Sequence, residues 1–419
     1  MAQIGTFVIY IIMAFAIAGA IAAIRNDEEG LGKEFMQGLY SIGPIFVPVA
    51  GIMASVPYLS HFIEALFGPV FGVMGADPAI AAGVFIATDM GAYQLADGIA
   101  GNRESWIMAM VTGFMAGATI VFSIPVGLAM LDRRDHKYMA LGIMSGILTV
   151  PIGVLITSSI LALTNARVRE TVTTEGEAGY QLALSFTTIF ANLLPLIVIV
   201  VLIALGLRFL PDAMIKGFMW FGRIMDAGLK LVLVFSIVEY FTGAFSALFG
   251  GWGFDPIIAD ADDQFRALEV AGYIGVMLSG AFPMVYMIKK YLAKPLEAFG
   301  KKIGLSGVGS AGILAAIANI LAMYRLIKDM PPKDKVLNIA FAVCAAFLFG
   351  DHLAFSANFQ PTIILPLIIG KVAGGALAIA LAYWISVPKA LQLEQLDRAS
   401  GVIGRDEYIG EDSRIRANA

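Results

Sequence analysis

The feature that most constrains this chain is a succession of apolar stretches, several longer than the roughly 18 residues that mark a membrane span. They run at 4–24, 38–58, 80–96, 106–131, 138–164, 182–207, 227–250, 270–288, 307–324, 337–358 and 362–387. Inside lipid every backbone N–H and C=O needs a partner within the protein, which leaves only helices and closed barrels. The short alternating strands of a barrel are absent. Composition agrees: 59% of the 419 residues are apolar and 14% charged, against about 45–50% and about 25% in a soluble domain. Too few charges remain to cover a water-facing surface of this size. The expected fold class is therefore an all-α polytopic membrane protein lodged in a lipid bilayer. A soluble enzyme, a nucleic-acid binder and a disordered chain are excluded.

The net charge of −4 is spread thinly and gives no reason for a nucleic-acid partner. Cys344 is the single cysteine, and His61, His136 and His352 are scattered. No disulfide, metal site or cofactor is expected. The first apolar run has no basic region before it and no small-residue cleavage site after it. It reads as a retained span rather than a signal peptide.

Two stretches, 80–96 and 307–324, are short and rich in Ala and Gly. Such lengths suit re-entrant or interrupted helices better than full crossings. The basic residues support this. With both as hairpins and the chain starting outside, the inside loops 25–34, 131–137, 208–224, 289–303 and 325–336 collect 17 of the 28 Lys and Arg. The outside loops hold Arg103, Arg167 and Arg169, Arg266 at a span edge, and the acidic run Asp255, Asp260, Asp262 and Asp263. That asymmetry is what the positive-inside rule requires. It favours nine crossings plus two re-entrant elements.

The two halves resemble each other. The segments from Gly38, Phe67 and Leu141 lie against those from Gly272, Phe299 and Ile369, at a nearly constant offset of about 230 residues. In this orientation the halves are inverted, each with about four crossings and one broken element. Residues 1–164 form the first membrane repeat and 226–388 the second. Residues 165–225 supply a linker span and loops, and 389–419 a cytoplasmic tail. Inverted repeats with interrupted helices are the architecture of secondary transporters, whose substrate binds near the midplane.

Ionisable groups at membrane depth cost at least about 2.5–3.5 kcal/mol each, so each needs a reason. Asp89, in ATDMGAYQLA, sits beside Gly91, which permits a helix break where a carboxylate and freed carbonyls could hold a cation. The plainer reading is a helix cap. Thr88 aligns with Asn319 in the second broken element, a candidate ligand or helix–helix contact. Asp351, in FLFGDHLAF, corresponds to Ser123, which precedes the helix-breaking Pro125. Lys371 in the next span could neutralise Asp351, and His352 could relay protons. Glu239 interrupts VLVFSIVEYFTGA and could face a cavity. Tyr93, Tyr324 and Phe355 flank the acids and could attract an ammonium group. No nucleophile–base pair or phosphate loop occurs, so no enzyme is expected.

At these residues the chain resembles the ethanolamine-utilisation transporter family EutH. The likeness rests on ATDMGAYQLA (87–96), TIVFSIPVGLAML (119–131), GILTVPIG (146–153), GAFPMV (280–285) and FLFGDHLAFSA (347–357), and covers about residues 5–388. The family's Asn-Asn-Ile-Pro is here Asn319-Ile320-Leu321-Ala322, so the second broken element lacks a proline. The resemblance implies a multi-pass permease of the bacterial inner membrane, its C-terminus cytoplasmic, importing ethanolamine as a cation by alternating access. Asp89, Asp351, Thr88, Asn319, Ser123, Tyr93 and Glu239 would then bind substrate. Two other readings compete: a sodium-coupled carrier of another small polar solute, and an intramembrane enzyme using Asp89 and Asp351. The sequence leaves open whether the protein is a homo-oligomer.

Overall fold

The computed structural model describes residues 2–404. These residues are almost entirely helical; one two-stranded antiparallel ribbon pairs Arg167–Val168 with Tyr180–Gln181. The first helices are α1 (Ala2–Arg25), α2 (Gly30–Tyr40), α3 (Ile42–Ala54) and α4 (Val56–Val73). A broken pair follows, α5 (Ala79–Phe85) and α6 (Ala92–Ile99). Next comes α7 (Arg103–Thr112), which continues through a π-helix, Gly113–Ser123, into α8 (Ile124–Met130). Then come α9 (His136–Ile147), α10 (Val150–Leu163), α11 (Phe186–Phe209), α12 (Pro211–Thr242) and α13 (Ala244–Phe249). The second half holds α14 (Ala267–Lys302), the broken pair α15 (Gly307–Ala318) and α16 (Ile320–Ile327), and the interrupted helix α17 (Pro332–Ala345) and α18 (Asp351–Phe359). It ends with α19 (Ile364–Ile385) and α20 (Val387–Ala399).

Among the described residues, eight helical segments are long and apolar enough to cross a membrane: 3–25, 30–54, 56–73, 103–130, 133–163, 186–209, 267–302 and 361–385. The division differs in detail from the sequence expectation. Helix α4 is an additional long apolar helix, whereas 337–358 is broken between α17 and α18. Helix α11 illustrates how such an element forms. Ser185 caps it by accepting the Thr188 N–H at 3.0 Å, and its 24 residues span about 36 Å, enough for a hydrocarbon core of about 30 Å.

Apolar side chains on α1, α4, α11 and α12 are widely exposed, including Phe7, Tyr10, Phe62, Leu202 and Trp220. An exposed apolar rim costs nothing against lipid tails. The segment from α7 to α8 is almost wholly buried, and α17 packs between α9 and α19. Small residues permit that closeness. A Cβ on Gly146 would lie 2.6 Å from the Ala340 carbonyl oxygen, and one on Gly374 3.1 Å from Cys344.

Both short apolar elements return to the side on which they begin. Asp77, just before α5, accepts the N–H of Gly101, just after α6, at 2.9 Å. The Ser306 N–H at the start of α15 donates to Asp334 in α17 at 2.8 Å. In each part of the chain a long helix, α4 or α14, leads into a broken hairpin, α5–α6 or α15–α16. Between the halves lies a buried ion pair, Lys335 to Asp135 at 2.6 Å. Helix α20 is clamped to α9, where Asp397 accepts from Tyr138 Oη at 2.6 Å and pairs with Lys137. Residues 405–419 of the expected tail lie outside the described residues.

Candidate functional site

Three breaks in helical structure converge on one cavity. In the first hairpin, Ile86 and Ala87 are extended, Thr88–Met90 form a single 3-10 turn, and Gly91 has φ 109°. Only glycine takes that value without strain. Asp89 therefore sits on a turn between two half-helices. The turn is fixed from behind: Thr88 Oγ1 donates to the Met110 carbonyl at 2.6 Å. Gly113 and Gly117 admit it, since a Cβ on Gly117 would lie 2.1 Å from the Ile86 carbonyl oxygen.

The second break is narrower. Asn319 alone is extended, at φ −159° and ψ 124°, and its Oδ1 accepts the Leu321 N–H at 2.8 Å to start α16. The break is thus confined to this residue, in an element without a proline. The third break, between α17 and α18, passes through Phe347 at φ 59°. The N–H groups of Phe347 and Phe349 donate to the carbonyls of Ala316 and Ile317, at 3.1 and 3.0 Å. These bonds knit the third break to the end of α15. Asp351 is the first residue of α18, where helix N–H groups point toward negative charge.

The cavity has a volume of about 780 Å³. Its mouth carries Lys33, Glu34, Gln37, Lys289 and Arg325, and its walls include Phe122, Phe282 and Phe347. Lys33, Gln37 and Arg325 are exposed, whereas Asp89, Asn319 and Asp351 at the other end are partly buried. Of the residues singled out in the sequence, Asp89, Asn319, Asp351 and His352 line this cavity. Thr88, Ser123, Tyr93 and Glu239 do not. Thr88 braces the turn under Asp89. Ser123 Oγ donates to the Ala118 carbonyl at 3.0 Å. Its own carbonyl accepts from Tyr324 Oη at 2.7 Å. Tyr93 is buried, stacked on Trp106 with ring centres 4.6 Å apart. Glu239 lies at the far end of α12 and accepts the N–H groups of Phe245 and Ser246, capping α13.

Lys371 is fully buried but makes no ion pair with Asp351. Its ammonium donates to the Phe114 carbonyl at 2.6 Å and lies 2.9 Å from His352 Nδ1. The other ring nitrogen, His352 Nε2, is 3.9 Å from Asp89 Oδ1. That oxygen is buried and has no hydrogen-bond partner. The row Lys371, His352, Asp89 thus ends at the cavity. The lone lysine in an apolar run was the sequence signal for it; the identity of its partner was not.

The far side of the site is closed by an aromatic column and a roof. Phe114, Phe355, Tyr93 and Trp106 lead away from His352, with ring centres 4.6–5.9 Å apart. Above them Gln360 grips the main chain of Arg169: its Oε1 accepts the Arg169 N–H at 2.9 Å, and its Nε2 donates to the Arg169 carbonyl at 2.9 Å and to Tyr93 Oη at 2.8 Å.

Comparison with known proteins follows the same residues. The family profile described as "Ethanolamine utilisation protein, EutH" matches residues 4–385. The chain belongs to the EutH family. Among EutH relatives, it is 37% identical over 385 residues to a probable ethanolamine permease EutH of Listeria monocytogenes, covering 92% of this chain and 95% of the relative. It is 34% identical over 410 residues to a probable ethanolamine permease EutH of Escherichia coli, covering 92% and 96%. An uncharacterised Bacillus subtilis protein, YxeR, is 33% identical and covers 94% of this chain and 98% of its own. No solved structure matches this EutH chain.

Proposed function

We propose that this chain is a permease that carries ethanolamine, as the ethanolammonium cation, across the bacterial inner membrane by alternating access. The observation that carries the reading is that Asp89, Asp351 and Asn319 line the less exposed part of one cavity. A primary ammonium with a hydroxyl needs counter-charge and a group that both donates and accepts. Two carboxylates and an amide supply them. Thr88, Ser123 and Tyr324 act as braces, and Glu239 has no part in binding. The names of the relatives, probable ethanolamine permeases, give the substrate class.

In this reading the cavity opens to the cytoplasm, because its mouth residues Lys33, Lys289 and Arg325 belong to the basic loops. The two halves are inverted, and their broken hairpins meet at the substrate. Uptake of radiolabelled ethanolamine into proteoliposomes tests it. Asp89→Asn and Asp351→Asn are each expected to lower uptake more than about tenfold, since a hydrogen bond to a charged group contributes about 1.5–3 kcal/mol. Uptake unaffected by both substitutions would refute the site.

A further inference from the structure

The charges at the closed end of the cavity do not balance. Two carboxylates, Asp89 and Asp351, share it, and one buried ammonium, Lys371, reaches them through His352. His352 adds no charge: its Nδ1 accepts from Lys371, which leaves the proton on Nε2, facing Asp89. On the other sides of Lys371 stand the Phe114 carbonyl and Cys344, the latter held by Thr149 at 3.4 Å. Neither supplies a charge. The mouth charges, Lys33, Glu34, Lys289 and Arg325, lie at the exposed end. One negative charge is therefore left over in a buried site, where an unbalanced charge is expensive.

Resting on the permease reading, we propose that this leftover charge is neutralised by a proton when the site is empty and by the substrate ammonium when it is full, so that the protein exchanges one substrate for one proton. The step balances: the carboxyl pair holding one proton meets RNH3+, the proton passes to cavity water, and the ammonium takes its place on the carboxylates. No bond to carbon changes. Lys371 fixes the count at one, and His352 links it to Asp89. Two charges crossing in opposite directions cancel, so the substrate ratio across the membrane follows the proton ratio rather than the voltage.

The experiment uses the full chain in detergent at pH 7 with little buffer, a pH-indicator dye and ethanolammonium chloride set to the same pH. The expected result is binding with release of about one proton per ligand. Binding without proton release overturns the exchange and leaves the permease reading standing. Absence of binding overturns the permease reading and the exchange with it. Charge rescue provides a second measurement. Asp351→Asn, which balances Lys371 against Asp89, is expected to weaken binding at least tenfold. Adding Lys371→Met to it restores one unbalanced carboxylate and is expected to recover most of that loss. A double variant that elutes as a folded protein yet binds no better than Asp351→Asn overturns the role given to Lys371.

Discussion

Asp89 and Asp351 were legible in the sequence because a charge in an apolar run needs a reason, whatever the fold. Their setting was not. Thr88 reads as a ligand by position, but its hydroxyl faces the Met110 carbonyl, since a hydroxyl in an apolar core is stable only with a partner. Gly117 has a stricter role than any ligand candidate. A Cβ there would lie 2.1 Å from the Ile86 carbonyl oxygen, so backbone would have to move. Gly117→Ala is expected to destabilise the protein by about 1–3 kcal/mol and to abolish transport by displacing the turn under Asp89. Thermal unfolding in detergent, together with uptake, measures both. The ion pair Lys335–Asp135 gives a second case. Both partners are buried, so Asp135→Asn removes the carboxylate that faces the Lys335 ammonium and should cost about 3–5 kcal/mol, whereas Asp135→Leu with Lys335→Met should cost far less.

At the scale of elements, length and composition separated full helices from broken ones. The stretches 80–96 and 307–324 were too short to cross, and both are hairpins whose ends meet. The break between α17 and α18 was less legible because 339–350 is apolar throughout; its signal was the pair Gly350-Asp351. The long apolar helix α4 was missed because Glu64 and His61 interrupt its sequence. The π-helix Gly113–Ser123 has no sequence signature at all. It packs against the first hairpin, and such departures gather at functional sites. The loop before α14 offers a pH test. Asp260 accepts the N–H groups of Asp263 and Asp262, and chiefly the first of these holds its carboxyl below the usual range. A carboxyl held low in the folded state stabilises above its unfolded value, near about pH 4, and ceases to do so as pH falls through the folded one. Amide hydrogen exchange across residues 255–266 should show constant protection from neutral pH to about 5 and a loss below about 4.

For the whole molecule, the decisive feature is that one end of the site is open and the other shut. A thiol placed at Gln37, on the mouth, should react with a membrane-impermeant maleimide added from the cytoplasmic side alone, and ethanolamine should slow the reaction. The native Cys344 is buried and should stay silent in such an experiment. Labelling from the outer side in the absence of substrate would reverse the orientation proposed here. Which end of the site is sealed was not legible in the sequence, because it depends on contacts between residues as distant as Arg169 and Gln360. On the orientation proposed here, that roof faces outward. Its grip is an amide side chain on a peptide group, which gains no proton in an acidic medium and loses no attraction in a saline one. Acid or salt on that side should therefore leave this closure intact.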